Sequence, residues 1–576
     1  MLNALRNPEW SRKYRTLFFA LLAASSIHIH AQTGAIQTNV PALKTVYAHH
    51  FYIGCLLSYK YIGFPDDPPV TGQSPIITPN GGYLIQFHMN SMTPGNNMKA
   101  ENIVDINASA SAYNAASAAD KDSIDTHPVV RFNGDMIAQL NWAKRQGFTF
   151  RGHTLIWYAQ TPGPPFFRSG YTSTGTPLSK EKMIVRMDHY IKEVIRLIHE
   201  GWPGLLSAMD VVNEAVNDDT GTDRTNSEWY DAFGDNSYIM KAFESARKYT
   251  VQYGETQMKL YYNDCNTDNS NKADGIVRIC TPIYQAGYLD GIGLQGHESV
   301  DRPTSEAWIA SYNKFYPICS EMAITESYVL IGTTNPSADD YTRQANKYAQ
   351  MLKLYLDRSY FSGRGKIINL SQNGLNDQYA LANTFSSLWD SNNQCKPAFY
   401  AVANVGIHYN ALDSLLACAD TLNQSDYTAD SWAAFEAAST SARNAMARNY
   451  SVSESAADAL GAGETALKSA IDGLVKTSSD VQKAGGSIPK TFQLDQNYPN
   501  PFNPNTQIEY SVPVTGHVSL KVFKMTGQEV ATLFDGVRHA GNYVATFDGT
   551  VLASGVYFYQ LKSGSVSITK KFALIK

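Results

Sequence analysis

The chain has 576 residues, of which 43% are hydrophobic and 17% charged, with a formal charge of −5. That length predicts two to four domains, and the charge excludes the broad basic field on which nucleic-acid binding depends. Aromatic residues make up 12%, with 35 Tyr, enough to fill a core and also to present rings that stack on sugars.

Residues 1–31 read as a signal peptide: Arg6, Arg12, Lys13 and Arg15 precede an apolar stretch over 17–24, and Ala31 supplies a small residue for cleavage. The apolar stretch is too short for a membrane anchor, and no later run is long enough to span, so export without a membrane span is expected. Cys55, Cys265, Cys280, Cys319, Cys395 and Cys418 show no C-x-x-C spacing, which argues against a structural zinc site. An exported chain permits disulfides, but the sequence assigns no pairs.

From about Val46 to Tyr409, short apolar runs alternate with longer helical patterns. The strand candidates are 51–55, 83–89, 149–155, 208–212, 259–263, 291–295, 322–326 and 366–370, with helices such as 183–199 and 338–356 between them. Eight such units predict an α/β fold, a closed (β/α)8 TIM barrel over 43–410, with its active site at the C-terminal strand ends. An open doubly wound sheet is the alternative, but the glycine-rich phosphate loop it would carry is missing. An Ala/Ser-rich insertion at 107–122 follows the second strand, either rimming the cleft or forming an idle surface loop.

Residues 411–476 turn to Ala, Ser and Leu at helical spacing and predict a small three-helix bundle, with Ser451 and Glu454 as a capping box. Residues 477–487 read as a linker around Gly485 and Gly486. Beyond it, strict alternation such as Val518/Leu520/Val522 and Tyr543/Ala545/Phe547 predicts an all-β sandwich over 488–576.

The polar residues at the barrel strand ends carry the chemistry. Glu214 lies in Asp-Val-Val-Asn-Glu-Ala, and Glu326 ends the run Met-Ala-Ile-Thr-Glu. Two carboxylates far apart in sequence, each at a strand end, supply what glycoside hydrolysis needs: a proton donor for the leaving oxygen and a base or nucleophile for the sugar. An isolated Glu at a strand end is more often a solvated surface group. Other strand ends carry Arg-Gly-His-Thr-Leu-Ile-Trp (151–157), Tyr-Tyr-Asn-Asp (261–264) and Gly-Leu-Gln-Gly-His (293–297).

The motifs at 151–157, 210–215, 291–297 and 324–326, with Lys-Pro-Ala-Phe-Tyr at 396–400, resemble glycoside hydrolase family 10, the retaining endo-β-1,4-xylanases, in the family's order. The resemblance implies Glu214 as acid/base and Glu326 as nucleophile, with Asn213 on the sugar 2-hydroxyl. It further implies Asn96, Lys99 and His153 as donors to the non-reducing-side sugar, Trp157 as an aromatic wall, and Gln295 and His297 as groups that hold the nucleophile. Read alone, His153 is more often a satisfied buried histidine and Trp157 more often core. Retention places the two carboxyl groups about 5–5.5 Å apart, and it requires no metal or organic cofactor. A structural calcium is left open.

The chain departs from the family pattern in several places. Ser327-Tyr328 stands where Leu-Asp is usual, Asn373 where a Trp precedes the Gly, and Leu381 near a second Trp. Tyr158 replaces a usual His, Cys265 a usual Tyr, and Gly95 a usual Glu. These changes imply a wider pocket and relaxed or shifted specificity, for instance toward decorated xylan. A retaining hydrolase of another β-linked glycan, or a catalytically weak glycan-binding surface protein, are the competing readings. The segment Leu-Asn-Gln-Ser-Asp-Tyr-Thr-Ala-Asp-Ser-Trp (422–432) resembles FIVAR modules, as a spacer or a sugar binder. Gln496-Asn-Tyr-Pro-Asn-Pro-Phe-Asn-Pro504 and the closing Lys-Lys-Phe-Ala-Leu-Ile-Lys resemble the C-terminal sorting domain of type IX secretion substrates, which implies the secretion machinery as a partner and a secreted or surface-attached product. A sugar-binding β-sandwich is the alternative there.

Overall fold

The computed structural model describes residues 36–57, 81–359, 364–377, 385–476 and 489–576. The expected signal peptide, the 477–487 linker and Leu381 lie outside them. The chain divides into two compact units, one comprising the barrel together with 440–466, the other 418–439 and 467–576.

The first unit is built on nine strands: β1 Tyr52–Leu57, β2 Ser91–Pro94, β3 Thr149–Trp157, β4 Leu206–Asn213, β5 Lys259–Asp264, β6 Gly291–Leu294, β7 His297–Ser299, β8 Glu321–Leu330 and β9 Lys366–Asn373. Their order is β6-β5-β4-β3-β2-β1-β9-β8-β7, and β6 also pairs with β8, which closes an eight-stranded parallel barrel. The short β7 lies beside the outer end of β8, in the register His297↔Tyr328. Seven of the eight strand candidates fall on barrel strands. The exception is 83–89, which forms the helix Gly81–His88. Its Gly81, Leu84, Ile85 and His88 are buried while Tyr83 is 48% exposed, a helical period hidden inside an apolar run. The true second strand, Ser-Met-Thr-Pro, is four residues long and half polar, and it leaves almost no periodic signal.

The helices cover the barrel with apolar stripes. Lys180–Gly201 buries Met183, Met187, Tyr190, Ile191, Val194, Ile195 and Ile198 at three- and four-residue spacing, and the Ser179 hydroxyl accepts from Lys182 N–H to cap its start. The 107–122 insertion is helical rather than a loop: Ile106–Ala115 is capped by Asp105, whose carboxylate accepts from Ala108 N–H at 2.8 Å. A short helix, Lys121–Asp125, follows and ends on a buried ion pair. Asp125 Oδ1 meets Arg186 Nη2 at 2.9 Å, and the guanidinium lies 4.0 Å from the Tyr171 ring centre. Both side chains are buried, with Gly170 N–H and the Ser169 hydroxyl also donating to Asp125. Replacing Arg186 with Met leaves that carboxylate buried without its cation, so Arg186→Met is expected to cost about 3–5 kcal/mol in chemical unfolding. A loss below about 1 kcal/mol would show that the pair adds little.

Over 411–476, where three short helices were expected, the chain forms two helices, Ala429–Ala447 and Ala456–Asp472; the helix before them, Pro397–Ala419, starts inside the range expected for the barrel and packs Phe399, Val402 and Tyr409 into its core. Within the first unit, Tyr450, Ala456, Ala457 and Leu460 belong to the barrel's own hydrophobic core. Ser305 and Gln350 of the barrel donate to Tyr450 O, and Asn346 to Val452 O. The cap of the last helix is Ser455, whose hydroxyl accepts from Asp458 N–H; the expected pair Ser451 and Glu454 makes the turn just before it.

In the second unit, all strands pair antiparallel. The sheets are β10-β11-β14 and β13-β12-β15-β16, comprising β10 Gln493–Leu494, β11 Asn505–Val512, β12 Gly516–Lys524, β13 Glu529–Arg538, β14 Gly541–Asp548, β15 Gly555–Ser563 and β16 Val566–Leu574. Alternate residues, including Ile508, Tyr510, Val518, Leu520, Val522, Tyr543, Phe547, Tyr559 and Phe572, form one core.

Candidate active site

The C-terminal ends of β3, β4, β6, β8 and β9 bring the motif residues together. Glu214 follows the last residue of β4 and adopts φ +54°, a left-handed conformation unusual for a side chain with a Cβ. Its Oε1 accepts from Gln295 Nε2 at 2.7 Å and from Asn213 Nδ2 at 3.1 Å, and its Oε2 accepts from Trp157 Nε1 at 3.0 Å. Trp157, expected as an aromatic wall, thus also contacts Glu214 directly through its indole N–H. Arg224 donates to the Glu214 carbonyl at 2.8 Å and stacks over Tyr158, with 4.2 Å between the guanidinium carbon and the ring centre.

Glu326 is the sixth residue of β8 and is buried. Its Oε2 faces His297 Nε2 at 3.2 Å and Asn373 Nδ2 at 3.4 Å; its Oε1 lies 3.9 Å from His153 Nε2. Burial alone would push this carboxyl up. The His297 hydrogen bond and the electrostatic pull of His153, His297 and Lys99 outweigh it and bring the group down to about 2. It is therefore an anion at any ordinary pH.

One residue ties the carboxylates together. Gln295 donates from its side chain to Glu214, and its carbonyl accepts the Glu326 N–H at 2.8 Å. Gly296 makes the link possible: at φ +72° it turns the chain from β6 toward β7, and a Cβ there would come within 2.8 Å of Ile324 Cγ2. Lys99 also senses both carboxylates. Burial lowers its pKa, while Glu326, Glu214 and Glu101 pull it back up. Its ammonium lies 4.3 Å from the Trp157 ring centre and donates to Gln160 Oε1 at 2.7 Å. Asn96 is exposed, and its carbonyl accepts the Lys99 N–H at 3.1 Å. All nine residues singled out from sequence thus fall on these strand ends or on the loop after β2.

Supporting residues had gone unremarked. Asp210, fully buried on β4, accepts His153 Nδ1 at 2.9 Å and Arg151 Nε at 3.1 Å, which fixes the His153 ring. Asn263 Nδ2 donates to Asn213 Oδ1 at 2.9 Å, and the Thr325 hydroxyl donates in turn to Asn263 Oδ1 at 2.8 Å, so the Asn213 amide is oriented with its NH2 toward Glu214. Arg151, Asp210, Asn263 and Thr325 all stand in or beside the strand-end motifs of the sequence, and that placement was the available signal.

An acidic cluster lies behind Glu214, where ligand atoms of Asp218, Asp264 and Cys265 fall within 4.8 Å of one another. The Lys272 ammonium occupies that position, 2.6 Å from Asp218 Oδ1 and 2.8 Å from Asp264 Oδ1. All six cysteines are free thiols.

A closed parallel barrel with two carboxylates on facing strand ends defines a glycoside-hydrolase-like site. Residues 42–405 match glycosyl hydrolase family 10, and the chain belongs to that family. Residues 496–576 match the secretion system C-terminal sorting domain. The chain is 31% identical over 397 residues to endo-1,4-beta-xylanase Y of Acetivibrio thermocellus, covering 65% of this chain and 33% of that protein. It thus spans about a third of that relative's length. It is 27% identical over 381 residues to the beta-1,4-xylanase of Dictyoglomus thermophilum, covering 63% of this chain and 91% of that one. Among solved structures, the CBM22-1 and GH10 modules of Clostridium thermocellum endo-1,4-beta-D-xylanase 10B, complexed with xylohexaose, align with TM-score 0.53 at 29% identity, covering 66% of this chain and 69% of that one.

Proposed function

We propose that this protein is a secreted, retaining endo-1,4-β-xylanase. In the first step, Glu326 attacks the anomeric carbon and the glycosidic bond breaks, while Glu214 gives its proton to the departing oxygen. In the second, Glu214 takes a proton from water, the water oxygen bonds to the anomeric carbon, and Glu326 leaves as a carboxylate. Asn213 reaches the sugar 2-hydroxyl; Lys99, His153 and Asn96 bind the non-reducing-side sugar. The sorting domain, preceded at the other end of the chain by a signal peptide over 1–31, directs export through type IX machinery.

The observation that carries the reading is the electrostatic contrast around Glu326. A buried carboxyl normally becomes hard to ionise, yet this one is surrounded by donors and titrates at about 2. A structural ion pair would not need an ammonium that senses two carboxylates on separate strands. Purified protein incubated with xylan is expected to release a ladder of xylo-oligosaccharides that retain the β-configuration at first appearance, read by chromatography and NMR. Xylose alone, or an α-configured first product, would refute the assignment. Asn373, in place of an aromatic wall, favours activity on decorated chains, so the ratio of arabinoxylan to linear xylan turnover is expected to exceed that of relatives carrying Trp there.

A further inference from the structure

The two oxygens of the Glu326 carboxylate are not equivalent. Oε2 has donors on both sides: His297 Nε2 at 3.2 Å and Asn373 Nδ2 at 3.4 Å. Oε1 has His153 Nε2 at 3.9 Å, beyond hydrogen-bonding distance. His153 gives its Nδ1 edge to Asp210, so that ring is committed to a partner away from the sugar-facing oxygen. The two donors to Oε2 arrive from the two strands that flank β8. β9 pairs with it through Ser327↔Gln372, which places Asn373 one residue further on. β7 pairs with it through His297↔Tyr328.

That second register has a consequence for His297. Its side chain is 26% exposed, against 4% for His153, and an imidazole so open is free to rotate unless something fixes its plane. The Tyr328 ring lies against it, with 4.7 Å between centroids and 14° between planes, and is itself 9% exposed. Offset stacking at that distance holds the imidazole in one plane with Nε2 aimed at Oε2.

Building on Glu326 as the nucleophile, we propose that Asn373 is a second donor to its Oε2 and that Tyr328 is a positioning residue for His297, so that Oε2 is the retained oxygen and Oε1 the one that attacks. An oxygen accepting two hydrogen bonds keeps its charge stabilised through both steps, while the other keeps a lone pair free for the anomeric carbon. The groups facing the carboxylate are His297, His153 and Lys99 as cations or donors, Asn373 as a neutral donor and the Tyr328 ring, with Glu214 reached through Lys99.

The test isolates the nucleophile from the acid. A 2-deoxy-2-fluoro-β-xylobioside with a dinitrophenolate leaving group needs no proton donor, so its rate of covalent attachment reports the attacking carboxylate alone. Peptide mapping of the labelled full-length protein first locates the attachment. Labelling at a residue other than Glu326 overturns the nucleophile assignment itself. With the label on Glu326, Asn373→Ala is expected to slow attachment by about tenfold or more and to move its acid limb upward, because a donor to the anion is lost. Asn373→Asp places a second carboxylate against Oε2 and is expected to move that limb up further, by at least about one pH unit. Tyr328→Phe keeps the ring and is expected to preserve both rate and limb; Tyr328→Leu keeps the bulk, loses the stack and is expected to shift the limb as Asn373→Ala does. Circular dichroism and melting of each variant separate this from misfolding, and Tyr328→Trp supplies a second aromatic replacement should Leu fail to fold. Label on Glu326 with wild-type rate and profile in Asn373→Ala, Asn373→Asp and Tyr328→Leu would overturn the proposal while leaving Glu326 as nucleophile.

Discussion

Glu326→Ala is expected to lower xylan hydrolysis by at least ~10⁴-fold, more than about 5 kcal/mol of transition-state stabilisation, because no other group can form the bond to the anomeric carbon. The fold should survive, since the change removes a buried charge together with the demand for its donors. Azide gives a sharper reading than rate alone. In Glu326→Ala the anion enters the vacated volume and attacks an activated xyloside from that side, giving the α-glycosyl azide. Rescue yielding the β-azide would place the nucleophile elsewhere. The wild-type pH profile carries the same assignment. With Glu326 titrating at about 2 against an ordinary 4.5, the nucleophile remains ionised, and kcat/KM should keep its acid limb close to 2 unless the protein unfolds first. The sign for stability follows. A depressed carboxyl contributes stability in full above about 4.5 and loses it as pH falls toward 2.

The barrel was legible because strands buried on both faces read as short apolar runs: seven of the eight candidates fall on barrel strands, and polar motif residues marked the outer ends of five of them. Where reading failed, the physics explains it. The 83–89 run reads as apolar because its helix buries Leu84, Ile85 and His88 on one face and turns Tyr83 and, in part, Phe87, themselves aromatic, toward solvent. Ser91–Pro94 is too short and too polar to announce a strand. The same division holds at the site. Glu214, Glu326, His153 and Gln295 stand in contiguous motifs, so their approximate location followed once the strands were placed. Asp210, Asn263, Thr325 and Asn373 act across strands, and which residue faces which depends on a register set by barrel closure. No local pattern encodes the meeting of Asn373 with a carboxylate 47 positions earlier. The stacking of Tyr328 on His297 required the outer pairing of β7 with β8, a three-residue strand with no sequence signature.

Glu214→Ala should behave in a way that no structural role can imitate. On xylan, where the departing sugar hydroxyl is a poor leaving group, loss of the proton donor is expected to cut kcat about 10²–10⁴-fold. On a dinitrophenyl xylobioside the first step needs little protonation, and the intermediate should form at close to the wild-type rate. Its breakdown then becomes slow, because water has lost its base. The signature is a burst of phenolate equal to the enzyme concentration, followed by slow turnover and a lowered apparent KM. Azide should accelerate that slow phase and give the β-glycosyl azide, since it needs no base and enters from the side Glu214 vacates. The three donors that converge on Glu214, from Trp157, Gln295 and Asn213, make Glu214→Gln a different experiment: an amide presents its own N–H groups to donors that expect an acceptor, so part of that loss reflects rearrangement. Alanine is therefore the cleaner probe. Equal losses on xylan and on the activated substrate, with no burst, would remove Glu214 from the acid/base role and leave it a structural anchor at the end of β4.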